Sequence, residues 1–289
     1  MRALIFGKTG QVAIELKKLF ADEGHEVIAL GRDEANLEDS VALESAVFQH
    51  GANIIINAAA YTNVDGAEED RELALTVNAL APFCIAKAAQ EIGAPFIHIS
   101  TDYVFDGSGE TPWKVDDTIN PINHYGFSKV EGERMIASKP GRNIILRTSW
   151  VFSNHGRNFV STIFRAGATQ NNLRIVGDQI GGPTSAADIA KAILVIASQE
   201  HNAPGVGTQI VHFCGHPFVS WAEFGEAIIK RAGLDTSITA ISSAEYPTAA
   251  TRPKNSRLDV SGLASLYGIK APDWRDALAI YIKRMTYNE

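Results

Sequence analysis

LIFGKTGQVAIEL, residues 4–16, carries two phosphate-binding patterns at once. Gly7-Lys8-Thr9 is the tail of a P-loop, while Gly7, Gly10 and Ala13 have the three-residue spacing of a dinucleotide-binding turn. A P-loop needs a glycine five residues before the one that precedes its lysine. That position holds Arg2, and the apolar run Ala3 to Phe6 leaves no loop to wrap a triphosphate. The second pattern fits. Ala3 to Phe6 reads as a short buried strand, Gly7 to Gly10 as a tight turn, and Val12 to Phe20 as a helix with apolar residues at 12, 16, 19 and 20. Gly7 permits the turn, Gly10 lets a pyrophosphate approach the backbone, and Ala13 lets the helix pack on the strand. The helix N-terminus then faces the phosphates, with Gln11 and Val12 in its first turn.

The rest of the chain frames this turn. Its 289 residues suit one large domain or two modest ones. A hydrophobic content of 45% with 20% charged residues is that of an ordinary globular protein. The net charge of −7 argues against a general nucleic-acid or anionic-membrane surface, so an anionic ligand must meet a local basic cluster. Cys84 and Cys214 are the only cysteines; both sit among apolar residues, read as reduced core thiols, and have no zinc spacing. No signal-peptide pattern and no apolar stretch of 18 residues or more is evident, so a cytoplasmic protein with no membrane or nucleic-acid partner is expected.

Up to about residue 150, strand candidates at 3–6, 26–30, 53–56, 95–99 and 143–147 alternate with helix candidates near 11–22, 40–50, 70–92 and 124–137. That alternation predicts an α/β fold with a doubly wound parallel Rossmann-type sheet. Beyond Trp150, helical patterns near 157–170, 186–198, 220–232 and 273–286 are joined by stretches rich in Gly, Pro and Ser. We expect a nucleotide-binding domain over 1–149 and a smaller, mostly α, mainly substrate-binding part over 150–289, some of whose segments return to the sheet.

Ligands in such sheets lie beyond the carboxyl ends of the strands. The second strand ends in Gly31-Arg32-Asp33, where a basic residue can take the 2′-phosphate of NADP and an acidic one favours NAD. Arg32 comes first, which favours NADPH with NADH possible. The third strand ends in Asn57-Ala58-Ala59-Ala60-Tyr61-Thr62, whose small residues permit close backbone approach. The fourth ends in HISTDYVFDG, which puts Ser100, Thr101 and Asp102 at the cleft. Tyr125 and Lys129 follow at i and i+4, one helix face, so a hydroxyl and an ammonium can point into one site. An ammonium there would lower the tyrosine pKa, letting it exchange protons with a carbonyl, and turnover would fall as pH rises through that value. YxxxK alone is a weak signal; after a glycine turn and a Ser-Thr strand end, in this order, it is a strong one.

This constellation resembles the extended short-chain dehydrogenase/reductases, and within them the dTDP-4-dehydrorhamnose reductase family. The resemblance spans nearly the whole chain and rests on FGKTGQV, NAAAYTNVDGAE, STDYVFDG, YGFSKVEGE, RTSWVF, DQIGGPT and RPKNSRLD. It implies reduction of a 4-keto nucleotide sugar in dTDP-rhamnose biosynthesis, with hydride from the nicotinamide and a proton from Tyr125. Lys129 would hold the ribose. Gly10, Gln11 and Val12 would hold the pyrophosphate, Asn36 and Leu37 would line the adenine pocket, and Ala60, Tyr61, Thr62 and Ile99 would line the nicotinamide half. Asn36 is a mild departure, since members often have Asp there. Thr101 would bond the reacting sugar oxygen, with Asp102 beside it, and Trp150 would cover the sugar. Asn158, Arg252 and Asn255 would contact the nucleotide. Arg147, Arg157, Lys254 and Arg257 are further candidates for the pyrophosphate, Arg being suited to bidentate contact. Some relatives are described as magnesium-bridged dimers; Glu15 matches one ligand, but Ala187 stands where another glutamate is expected. No structural metal is therefore expected, and the chain is a monomer or a homodimer.

Two rival readings are open. An epimerase or dehydratase of another nucleotide sugar shares the fold, yet a dehydratase would carry Asp and Glu after the Ser/Thr, and here Tyr103 follows Thr101-Asp102. A non-catalytic regulatory subunit of the methionine adenosyltransferase type also resembles this family; an intact Tyr125, Lys129 and Thr101 argue against it.

Overall fold

The computed structural model describes residues 1–201 and 207–287. β1 (Arg2–Phe6) is apolar from Ala3 to Phe6 because the sheet is covered on both faces. Ala3 and Ile5 enter one core cluster, Leu4 and Phe6 the other. α1 (Gln11–Asp22) buries Val12, Ala13, Leu16 and Phe20. β2 (Glu26–Leu30) is followed by α2 (Ser40–Gln49), whose first turn is capped by Asp39, and by β3 (Ile54–Asn57).

After α3 (Gly66–Glu69), the single helix predicted near 70–92 is in fact α4 (Arg71–Leu75), one π turn at Thr76–Leu80, and α5 (Ala81–Glu91). Pro82 has no N–H to give to the carbonyl of Asn78, four residues back, so a regular α-helix is interrupted there. The run Arg71–Glu91 is long and apolar enough to cross a membrane, which corrects the expectation that no such stretch exists. It is a core element: Ala74, Ala79, Ile85, Ala86 and Ala89 are all buried, and α5 packs against α2.

β4 (Phe96–Thr101), α6 (His124–Ala137) and β5 (Arg142–Thr148) complete the first half. Then come β6 (Val151–Phe152), α7 (Phe159–Gly167), β7 (Asn172–Val176), β8 (Ile180–Gly181), β9 (Thr184–Ser185) and α8 (Ala186–Glu200). β10 (Gly207–His212), β11 (Val219–Ser220), α9 (Trp221–Ala232) and β12 (Ser237–Ile241) follow. β13 (Asn255–Ser256), α10 (Ser261–Tyr267) and α11 (Trp274–Tyr287) end the series.

The main sheet has six parallel strands in the order β10-β5-β4-β3-β1-β2. The winding reverses between β1 and β3, and a crevice opens beyond their carboxyl ends. β10 and α8 come from the second half of the chain, yet β10 pairs along its length with β5 and α8 packs on α1. α10 joins the first core cluster through Leu263 and Tyr267, while β6, β7, α7, α9 and α11 pack around Phe152, Phe224 and Trp274. Cys84 and Cys214 are buried free thiols.

Candidate active site

A cavity of about 740 Å³ opens at the carboxyl ends of β1, β3 and β4. Gly7, with φ +111°, lines it in a conformation that disfavours any side chain; a Cβ would lie 3.0 Å from the Ala58 carbonyl carbon. Gly10 is different. Its backbone is extended (φ −70°), and a Cβ would meet nothing nearer than the Gly7 oxygen at 3.5 Å. The fold itself therefore leaves room for a side chain at 10. It is also the N-cap of α1 and has no side chain to accept from the first turn, so the N–H groups there are left for an anion.

Arg32, Asn36 and Leu37 line one end of the cavity. Arg32 is exposed and enters no ion pair among the described residues. Lys8, absent from the sequence-predicted site, sits beside it. Its Nζ donates to both oxygens of Glu34 at 2.9 Å, and Glu34 also accepts from the Gly31 N–H at 2.9 Å. That N–H, and then Lys8, hold the Glu34 carboxyl below its usual range.

Ala60, Tyr61, Thr62 and Ile99 line the other end. The Tyr61 main chain is clamped by Asn78. Its N–H donates to Asn78 Oδ1 at 2.8 Å, and Asn78 Nδ2 donates to the Tyr61 carbonyl at 3.0 Å and to Ser128 Oγ at 2.9 Å. Asn78 lies in the π turn, a kind of helix interruption that is frequent at functional sites.

Asn123 caps α6 by accepting from the Gly126 N–H at 2.8 Å, which sets Tyr125 and Lys129 one turn apart on the cavity side. Thr101 closes β4 opposite them. The structure corrects one electrostatic expectation. Burial pushes the Tyr125 hydroxyl up to about 12, opposed in part by the Thr101 hydroxyl and reinforced by Asp102. Lys129 does not depress it, because the Lys129 Nζ is turned to the Ile99 carbonyl at 2.8 Å and lies 3.1 Å from His98 Nε2. Burial lowers Lys129 itself to about 8, partly offset by Glu133. Asp102 is buried as well, and burial raises its carboxyl to about 7. Its Oδ1 accepts from Thr101 Oγ1 at 3.2 Å, while Oδ2 is a buried atom with no hydrogen-bond partner among the described residues.

Trp150 and Trp221 form the facing wall, their rings stacked 3.5 Å apart at 11°. Trp150 has φ +49°, a conformation uncommon outside glycine, and a Cβ at Gly181 would come 2.6 Å from its indole.

Three predicted contacts lie outside the cavity lining. Asn158 caps α7 and donates to Gln11 Oε1 at 3.0 Å, tying the second half of the chain to the glycine turn. Asn255 donates to the Thr111 carbonyl at 2.8 Å and accepts from Arg257 Nε at 2.9 Å. Arg252 grips Asp65 with both terminal nitrogens, at 2.7 and 2.6 Å, and holds that carboxyl down at about 2. Arg147 is no phosphate ligand: it is fully buried and paired with Glu133 at 2.6 Å. Lys254 pairs with Asp178 at 3.3 Å, and Glu15 with His155 at 3.0 Å. No group of three or more potential metal ligands occurs among the described residues.

Lys8 and Trp221 also line the cavity, and Asn78 and His98 hydrogen-bond to the lining residues Tyr61 and Lys129; the sequence did not single out these four. Lys8 was legible in the Gly-Lys-Thr that first suggested a P-loop. Asn78 was legible as a lone amide in an apolar run just before Pro82. Nothing in the sequence pointed to the other two.

A family model described as "RmlD substrate binding domain" matches residues 1–287. The dTDP-4-dehydrorhamnose reductase of Aggregatibacter actinomycetemcomitans is 41% identical over 284 residues, 96% of this chain and 97% of that protein. The crystal structure of a dTDP-4-dehydrorhamnose reductase from Clostridium acetobutylicum superimposes with a TM-score of 0.93 at 33% identity, covering 99% of this chain and 100% of the other. That of Bacillus anthracis, solved in complex with NADP, gives 0.92 at 31% identity, covering 98% and 99%.

Proposed function

Because this chain belongs to the RmlD substrate binding domain family, the family of the dTDP-4-dehydrorhamnose reductases, we infer that it reduces the C4 keto group of dTDP-4-dehydro-L-rhamnose to give dTDP-L-rhamnose, with NADPH as cofactor and NADH possible. The observation that carries the reading is the convergence of Tyr125, Lys129 and Thr101 on the cavity that also holds an uncapped glycine turn.

The residues present fit the cofactor. The Gly10 N-terminus of α1 offers open N–H groups, Arg32 supplies a cation with no ion pair among the described residues for a 2′-phosphate, and Lys129 faces the same cavity from α6. Gly7, Gly10, Gln11, Val12, Asn36 and Leu37 make up the phosphate and adenine half, with Ala60, Tyr61, Thr62 and Ile99 at the nicotinamide. When bound, the reduced nicotinamide supplies the hydride. Tyr125 gives its proton to the carbonyl oxygen as charge develops there. A hydroxyl held at about 12 is fully protonated at working pH, so it is loaded for donation without any ionisation step. Thr101 holds the same oxygen, and Asp102, with one free carboxyl oxygen, holds a sugar hydroxyl. Trp150 covers the ring. Asn158, Arg252 and Asn255 are proposed as rim contacts for the nucleotide. Arg252 is the phosphate candidate among them, since it is a guanidinium suited to bidentate contact and its partner Asp65 has a side chain 43% exposed.

We divide the chain into a cofactor part, 1–149, and a mainly substrate-binding part, 150–289, with α8 and β10 returning to the sheet. The reading carries with it a cytoplasmic, monomeric or homodimeric enzyme. Its test is NADPH oxidation, followed spectrophotometrically, with dTDP-4-dehydro-L-rhamnose. Tyr125→Phe keeps the ring and removes the proton, so turnover should drop about 10²–10⁴-fold with little change in cofactor affinity. A near-normal Tyr125→Phe enzyme would assign the proton elsewhere. A wild type that ignores this sugar and reduces another keto nucleotide sugar would overturn the substrate.

A further inference from the structure

A chain of buried hydrogen bonds leads from the third strand to Lys129, and its polarity is fixed at one end. The Ala59 N–H can only donate, and it donates to Asn57 Oδ1 at 3.1 Å. This orients the Asn57 amide, so its Nδ2 faces His98 Nδ1 at 3.2 Å as a donor. His98 Nδ1 must then accept. A neutral imidazole whose Nδ1 accepts carries its proton on Nε2, and His98 is neutral, because burial holds its pKa well below the usual value. Nε2 lies 3.1 Å from Lys129 Nζ. The opposite tautomer would turn Asn57 over and set its N–H groups against the Ala59 N–H, leaving two donors face to face in a site where Asn57 and His98 are 0% and 1% exposed.

We propose that His98 is a positioning residue for the reduction: locked by Asn57 with its proton on Nε2, it donates to the Lys129 lone pair and lowers the proton affinity of the lysine. The proposal rests on the reading of Lys129 as the partner of Tyr125. The lysine has two positions to fill from the protein. It donates one hydrogen to the Ile99 carbonyl and accepts one from His98, which fixes Nζ in place and leaves its other hydrogen for the cavity. An ammonium in the same place would set a third hydrogen against His98 Nε2–H.

The other charges near Lys129 do not reverse this. Glu133, one turn on along α6, favours the ammonium, but both its oxygens are engaged by Arg147 of β5 and one by Ser100 of β4. Tyr125, on the same helix, is protonated, and Asp102 lies at the end of β4 beside Thr101. Burial acts on Lys129 in the same direction as His98 and brings it to about 8. The lysine thus changes charge close to neutrality, and His98 sets where.

The test has two independent arms. In ¹⁵N-histidine-labelled wild type, two-bond proton–nitrogen correlations report the tautomer of each ring, and the signal lost in His98→Gln assigns His98. The expected pattern is a protonated Nε2 and an unprotonated Nδ1 from pH 6 to 9; a protonated Nδ1 overturns the proposal whatever the substrate. In the second arm, kcat/KM for NADPH-dependent reduction is followed against pH. His98→Phe, which removes the donor, should move the alkaline limb up by about one pH unit, the worth of one hydrogen bond. His98→Gln, whose amide can still donate to Nζ, should return it toward the wild-type position. A limb that stays put in His98→Phe while activity merely falls would make His98 structural only. If no keto sugar nucleotide is turned over by wild type, the functional reading fails, and the tautomer arm still decides this one.

Discussion

The indoles of Trp150 and Trp221 lie 3.5 Å apart and only 11° from parallel, one from the loop after β5 and the other from the first turn of α9. Trp221 is itself anchored. Ser220 and Glu223 form a capping box beneath it, and Phe159 packs against it with ring centroids 4.5 Å apart. The stack therefore joins a strained residue, Trp150 at φ +49°, to a rigid helix end. Trp221→Ala should free the Trp150 ring, raise KM for the sugar nucleotide several-fold more than it lowers kcat, and remove the exciton couplet of stacked indoles from the far-ultraviolet circular dichroism. Trp221→Phe should recover most of the KM. An unchanged KM with the couplet gone would show that the stack does not shape the sugar site.

Gly10 separates a ligand effect from a folding effect. Its conformation is open to any residue, and a Cβ has 3.5 Å to its nearest neighbour. Gly10→Val should melt within a few degrees of wild type and yet lose NADPH binding in calorimetric titration. Gly7→Val, by contrast, sits at φ +111° with 3.0 Å to the Ala58 carbonyl carbon and should lower the melting temperature as well. Unchanged NADPH affinity in Gly10→Val would remove the glycine turn from the cofactor site.

Two cations stand at the adenosine end, and only one is uncommitted. Lys8 is held by Glu34 at 2.9 Å, while Arg32 has no such partner among the described residues. Arg32→Ala should weaken NADPH by about 1–3 kcal/mol and leave NADH nearly untouched. Lys8→Ala should affect both cofactors alike, because Lys8 and Glu34 brace the loop between β2 and α2 that borders the adenine. Equal losses for both cofactors in Arg32→Ala would show that it meets something other than a 2′-phosphate.

Asp102 gives the fold a pH dependence of unusual sign. Its folded pKa is raised to about 7 by burial, above the 3.8 of an ordinary aspartate. Between those values the folded chain keeps a proton that the unfolded chain has released. Stability therefore falls as pH rises from about 4 to 7, and the full penalty stands above that range. Asp102→Asn should flatten this slope and raise the melting temperature at pH 8 more than at pH 4, while turnover drops. Melting curves across that range check it; a wild-type slope in Asp102→Asn would mean that the carboxyl ionises without cost.

The sequence revealed most where residue type and position carry the same information. β1 reads as buried because Ala3 to Phe6 is apolar without alternation, and Gly7, Tyr125 and Lys129 reach one cavity because strand ends and helix period put them there. It was silent where tertiary context decides. No local pattern announces that Arg252 is claimed by Asp65, 187 residues away in the chain, or that Arg147 is claimed by Glu133 within the core. The depressed Tyr125 pKa expected from a neighbouring ammonium reversed for the same reason. Helix spacing tells that two side chains share a face, but not that one will be drawn aside by His98 and Ile99 while the other loses its water. The helix over 70–92 was overdrawn because its apolar pattern continues through the π turn, where Asn78 reaches out to hold Tyr61.

The pairing of β10 with β5 has a consequence for the order in which the chain can fold as it leaves the ribosome. When residues 1–149 have emerged, β5 is still an unpaired edge, and the face of α1 that α8 will cover is open to water. The turn around Gly7 and Gly10 is complete by then in sequence but not in support, since its sheet is closed only by strands and helices made about 40 to 60 residues later. A nascent chain thus has every cavity-lining residue of the first half before it has a finished scaffold to hold them, and during that interval the β5 edge is open to pairing with another copy of itself.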